Sequence, residues 1–144
     1  MVPRPPTGNK WWPFLPALFW GGVIFVVISL PRSSIPEAAW MDYPRADKVI
    51  HFLLFAVLGA LLLVGFTRPG RPGKKRGILL SLAAGCSYGA LTELFQFCCL
   101  ASRHGNMPDV LANCFGTVFG VLMMALFFSS WTKKGSAAEK IQGK

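Results

Sequence analysis

The chain of 144 residues alternates between long apolar stretches and short polar connections. Four stretches stand out: Trp11–Leu30, Val49–Phe66, Ile78–Leu100 and Val110–Trp131. A helix needs about 20 mostly apolar residues to cross a hydrocarbon layer ~30 Å thick. The second stretch is the shortest, and Asp47 and Lys48 extend it into the headgroup layer by snorkelling. The pattern predicts an all-α polytopic membrane protein, a bundle of four transmembrane helices.

Turn and capping residues set the boundaries. Pro13 and Pro16 fall in the opening turns of helix one, where a missing amide donor costs least, and Leu30-Pro31 closes it. The connection Arg32–Ala46 has room for a short interfacial helix around Glu37–Tyr43, with Trp40 dipping into the membrane surface. Helix two opens at Ala46-Asp47 and ends near Gly65-Phe66. A basic Gly/Pro turn over Thr67–Gly77 leads into helix three, which runs to about Leu100. Ala101–Pro108 is a tight hairpin connection, in which Asn106 caps helix four and Asp109 sits in its first turn. The predicted organisation is a polar tail over 1–10, a membrane domain over 11–131 and a second polar tail over 132–144.

Composition agrees with this division. Hydrophobic residues make up 53% of the chain and charged residues only 15%, beyond what a soluble domain needs. Arg4 and Lys10 ahead of an apolar run resemble the start of a signal peptide. Trp11–Leu30 is long for such a segment, however, and Pro31-Arg32-Ser33-Ser34 is a poor cleavage context, so a retained helix is expected. Eleven of the 15 Lys and Arg residues lie in the N-terminal tail, the helix two–three connection and the C-terminal tail, which share one side of an up-and-down threading. The excess of basic residues places that side, and both termini, in the cytoplasm. The net charge of +9 then reflects topology and contact with anionic lipid headgroups, and no nucleic-acid partner is expected. Trp11, Trp12 and Trp131 suit an aromatic belt at the same interface.

Against this apolar background a few polar residues sit at the helix ends or just inside: Asp47, Lys48, His51, Glu93, Gln96, Arg103, Asp109 and Asn113. The threading puts all eight on the side opposite the basic tails. Asp47 and His51, four apart, share a face of helix two; Gly85, Gly89, Glu93 and Gln96 share one on helix three; Asp109, Asn113, Gly116 and Gly120 share one on helix four. Gly85–Gly89 and Gly116–Gly120 are G-x-x-x-G pairs, which let helix backbones approach closely in lipid and aim the polar residues at a helix contact. From a rise of ~1.5 Å per residue, Glu93 lies ~10 Å inside the membrane, and His51, Gln96 and Asn113 ~6 Å inside. Asp47 and Asp109 also suit helix N-termini, Lys48 snorkelling, and Gln96 and Asn113 interhelical hydrogen bonding. Glu93 has no capping role and must be paired or protonated.

Cys86, Cys98, Cys99 and Cys114 all fall within spans without C-x-x-C spacing and read as packing residues; a bridge from Cys98 or Cys99 to Cys114 is the alternative. His51 and His104 are the only histidines, and neither zincin spacing nor a recognisable serine-nucleophile motif is present. No metal and no cofactor is expected; the minor alternative is a metal held by Asp47, His51, Glu93 and Asp109.

Asp47-Lys48-Val49-Ile50-His51-Phe52, followed by Phe55 to Gly59, resembles the D-K-x-x-H-F signature of VanZ-like membrane proteins. Glu93-Leu94-Phe95-Gln96 is similar to their E-x-x-Q, and Arg103, Asp109, Asn113, Gly116 and Gly120 to their R, D-x-x-x-N-x-x-G and trailing Gly. The resemblance covers about Ser29 to Met124. It implies a small four-helix protein of the bacterial cytoplasmic membrane, in a family whose namesake is associated with teicoplanin resistance. No reaction is established across that family. Ser102-Arg103-His104-Gly105-Asn106 departs from the pattern by adding a histidine.

The expected function is binding or modification of an anionic lipid-linked or peptidoglycan-related envelope component at the outer leaflet. Lys48 and Arg103 hold phosphate or carboxylate, and Gln96, Asp109 and Asn113 complete the ligand contacts. Glu93, with His51 positioned by Asp47, supplies the candidate acid–base groups. Whether a reaction is catalysed stays open. The alternatives are a structural or regulatory protein whose polar cluster only fixes helix packing, and a proton-coupled transporter that would have to oligomerise.

Overall fold

A computed structural model describes residues 11–30, 46–68, 73–100 and 107–142, with side chains through Ser129 in the last segment. A 3-10 turn, Trp12–Phe14, leads into α1 (Leu15–Ser29); α2 (Ala46–Phe66), α3 (Lys74–Cys99) and α4 (Met107–Gln142) follow, with no strand among the described residues. Pro13 and Pro16 each stand at an N1 or N2 position, one opening the 3-10 turn and the other α1. Four segments are long and apolar enough to cross a membrane: Trp12–Ser29, Ala46–Phe66, Lys74–Cys99 and Met107–Ser129. Their apolar side chains point largely outward, as Phe19, Phe97, Phe115 and Leu126 do, the arrangement that a lipid surround favours.

Residue pairs across the interfaces set the topology. Phe52 and Ala56 meet Gly116 and Gly120, so α2 and α4 run parallel. Gly85 and Gly89 meet Thr117 and Asn113, so α3 is antiparallel to α4. Tyr88 hydroxyl donates to Gly21 O at 2.7 Å and Gln96 Nε2 to Ile28 O at 3.3 Å, setting α3 parallel to α1. Trp20 Nε1 donates to Leu54 O at 2.9 Å, and Phe14 packs edge-on against Phe66, setting α1 antiparallel to α2. The helices thus alternate up and down. The first-turn residues of α2 and α4 and the C-terminal turns of α1 and α3 share one end.

The closest helix pair is α2–α4, and small residues make it so. A Cβ on Gly116 would collide with the Phe52 carbonyl, and one on Gly120 with the Ala56 carbonyl. On the α2 side, a Cβ at Gly59 would come within 2.5 Å of Thr117 O. The apolar core lies beside this seam and consists of Ala17, Ile24, Ile28, Phe55 and Leu58.

Two features go beyond the sequence reading. The helix of the fourth span outruns its apolar stretch: α4 is 36 residues long and continues through Gln142. At ~1.5 Å per residue that is about 54 Å, well beyond the hydrocarbon layer. The residues after Trp131 include Ala137, Ala138, Glu139, Lys140 and Gln142, strong helix formers that carry the helix on past the apolar run. The cysteine neighbours differ as well, since Cys86 meets Cys114 across α3–α4 and all four thiols are free. The N-terminal tail, the interfacial helix around Glu37–Tyr43, the Asn106 cap and His104 lie outside the described residues.

Candidate functional site

The site grows from two helix starts lying side by side. Because α2 and α4 are parallel, Asp47 and Lys48 at the head of α2 stand level with Asp109 at the head of α4. Lys48 Nζ lies 2.8 Å from Asp109 Oδ1, in an ion pair whose lysine is 37% exposed and whose aspartate is 5% exposed. Both carboxylates also sit where a helix N-terminus favours negative charge.

One turn further in, His51 of α2 reaches Asn113 of α4, its Nδ1 3.0 Å from Asn113 Oδ1. Asn113 is fully buried, and its amide nitrogen donates to Gly89 O and to Glu93 Oε1 of α3, both at 3.4 Å. These two acceptors fix the orientation of the amide, leaving Oδ1 to accept. His51 therefore carries its hydrogen on Nδ1 and donates it. Glu93 Oε1 lies 3.4 Å from the same ring nitrogen, and both side chains are 4% exposed. His51 Nε2 points the other way, towards Asp47, with 3.9 Å separating it from Oδ1.

The glycine stripe on α3 makes this convergence possible. A Cβ at Gly89 would stand 2.8 Å from Asn113 Cβ and 3.2 Å from the Phe55 ring, so any larger residue would push α4 away from Glu93. Thr117 supports Asn113 from below, donating its hydroxyl to Asn113 O at 2.9 Å within α4.

Of the eight residues marked in the sequence, six form one connected group: Asp47, Lys48, His51, Glu93, Asp109 and Asn113. Gln96 is buried as expected but turns to α1, donating to the Ile28 carbonyl. Arg103 lies outside the described residues. Thr117 was not singled out in the sequence; its place one turn below Asn113 on the same face is the signal that could have marked it. Asp47, His51 and Asp109, three residues of the alternative metal set, also bring one oxygen or nitrogen each to within 4.8 Å of one another.

Four spans around a buried Glu–Asn–His group define a multi-pass membrane protein with an ionisable centre near one end of its bundle. The chain matches the VanZ/LLP1 family over residues 13–128 and belongs to that family. No curated protein and no solved structure matches it.

Proposed function

We propose that this protein binds an anionic, lipid-linked component of the bacterial cell envelope at the outer leaflet of the cytoplasmic membrane, and that Glu93 and His51 exchange protons with the bound group. The observation that carries this reading is the burial of Glu93, Asn113 and His51 directly beneath the Lys48–Asp109 pair. Apolar side chains of similar size would pack that position at no electrostatic cost, and ionisable groups inside a span are kept mainly where they act. Lys48 can release Asp109 and turn its ammonium to a phosphate or carboxylate, and Arg103 at the head of the α3–α4 connection adds a bidentate partner. Asn113, joined to both proton-handling groups, holds their geometry. In this reading the ligand's chain lies against the apolar outer surface of the helices.

The test is mass spectrometry of lipids retained on purification in mild detergent, comparing wild type with Lys48→Ala and Arg103→Ala. An anionic species enriched with wild type and lost from both variants supports the reading. The same lipid profile in all three overturns it. A link to glycopeptide resistance is tested separately, by the teicoplanin sensitivity of cells with and without the gene.

One observation favours the second reading, a purely structural role. Asn113 alone joins α2, α3 and α4 through its three hydrogen bonds, which suffices to hold three helices in register.

A further inference from the structure

We propose that Asp47, His51 and Asp109 form a binding site for one divalent transition-metal ion at the end of the bundle where α2 and α4 begin. One carboxylate oxygen from each aspartate and one imidazole nitrogen lie within 4.8 Å of one another. They come from the first two turns of α2 and the first turn of the parallel α4, so backbone packing sets their spacing.

The histidine is prepared for the role. Its Nδ1 hydrogen is given inward to Asn113 Oδ1, and in the neutral ring the lone pair is then on Nε2, on the Asp47 side. A metal-bound histidine typically donates its other ring N–H to a carboxylate or carbonyl, which fixes its tautomer and direction. Asn113 and Glu93 stand in that position behind His51. His51 is 3% exposed, and the described residues make no hydrogen bond to its Nε2. The 3.9 Å from Nε2 to Asp47 Oδ1 is too long for a hydrogen bond. It suits two ligands of one ion, since donors held ~2.1 Å from a shared metal lie roughly 3.0–4.2 Å apart, depending on the angle between them.

One imidazole and two carboxylates suit manganese or zinc, and a divalent ion matches their two negative charges. Lys48 is the built-in competitor. Its ammonium holds Asp109 at 2.8 Å, and its partly exposed side chain can swing to the headgroups when a metal takes that oxygen. The proposal rests on the mouth named in the reading above and changes one role there: with the metal bound, His51 is a ligand and Glu93 alone exchanges protons. Metal uptake in lipid-free detergent tests it alone, whereas lipid retention tests the earlier reading.

The experiment is a manganese titration of chelator-treated, full-length protein in detergent, with free ion followed by electron paramagnetic resonance. Manganese is chosen because the four cysteines compete poorly for it. One ion per chain is expected. Asp47→Asn, which keeps the shape of the side chain and removes one anionic ligand, is expected to weaken binding at least tenfold in protein whose helical circular dichroism matches wild type. Lys48→Met is expected to bind as tightly as wild type or more tightly. Absence of stoichiometric binding to wild type, or binding to Asp47→Asn as tight as to wild type, overturns the proposal.

Discussion

His51 on α2 and Asn113 on α4 meet through a 3.0 Å hydrogen bond across two parallel helices, and the asparagine's own donors decide its direction. That contact ties the second turn of each helix to Glu93 on the antiparallel α3. It also turns the second imidazole nitrogen toward Asp47. A single amide thus fixes three helices and one tautomer.

Asn113→Leu is expected to remove all three side-chain bonds and strand buried polar partners. The cost is about 1–3 kcal/mol, read as a lowered Tm in detergent. Thr117→Val, which removes one bond inside α4, is expected to cost less than about 1 kcal/mol in the same measurement.

Gly116→Ala and Gly120→Ala place a methyl group against the α2 carbonyls of Phe52 and Ala56, which cannot move independently of their helix. Overpacking of this kind costs about 1–3 kcal/mol, and thermal unfolding in detergent reads it. Gly22→Ala is the control. No atom lies within 4 Å of its added Cβ, so the helix-propensity gain of about 1 kcal/mol is expected to leave stability unchanged or raised.

Oxidative cross-linking with a membrane-permeant oxidant is expected to join Cys86 to Cys114, the pair that meets across α3–α4. Peptide mass spectrometry distinguishes this from a Cys98–Cys114 or Cys99–Cys114 bridge. Either of those products would show that the α3–α4 register differs from the one described.

A fluorescent reporter fused after Lys144 is expected to be active in bacteria, and a periplasm-dependent phosphatase fused at the same point inactive. The excess of basic residues at Lys74, Lys75 and Arg76 and in the C-terminal segment is the reason for expecting this orientation. The reverse result would place the ionisable cluster at the cytoplasmic side and remove the outer-leaflet ligand from consideration.

The spans were legible because hydrophobic length is a strong signal, and the shared end followed from counting crossings. Helical spacing identified the Asp47–His51 and Asp109–Asn113 faces, and the α2–α4 pairing brings them together. Helical spacing puts Gln96 on the same face as Glu93, but three residues on it looks toward α1; only packing decides between two neighbours of one helix. Hydrophobicity marks the membrane span of α4 and says nothing of the helix beyond it, where helix propensity persists through Gln142. The glycine stripes signalled close approach without naming the partner. Gly116 and Gly120 turn to α2, and Gly85 and Gly89 to α4.

The most direct test of the central claim, that the buried ionisable centre is kept for function, is the thermal stability of wild type against Glu93→Gln in detergent. The substitution preserves shape and an acceptor for Asn113 Nδ2 while removing the ionisable group. An unchanged or raised Tm is predicted, because a carboxylate held for function is a burden on folding. A clear fall in Tm would contradict the account and make Glu93 a structural partner in helix packing.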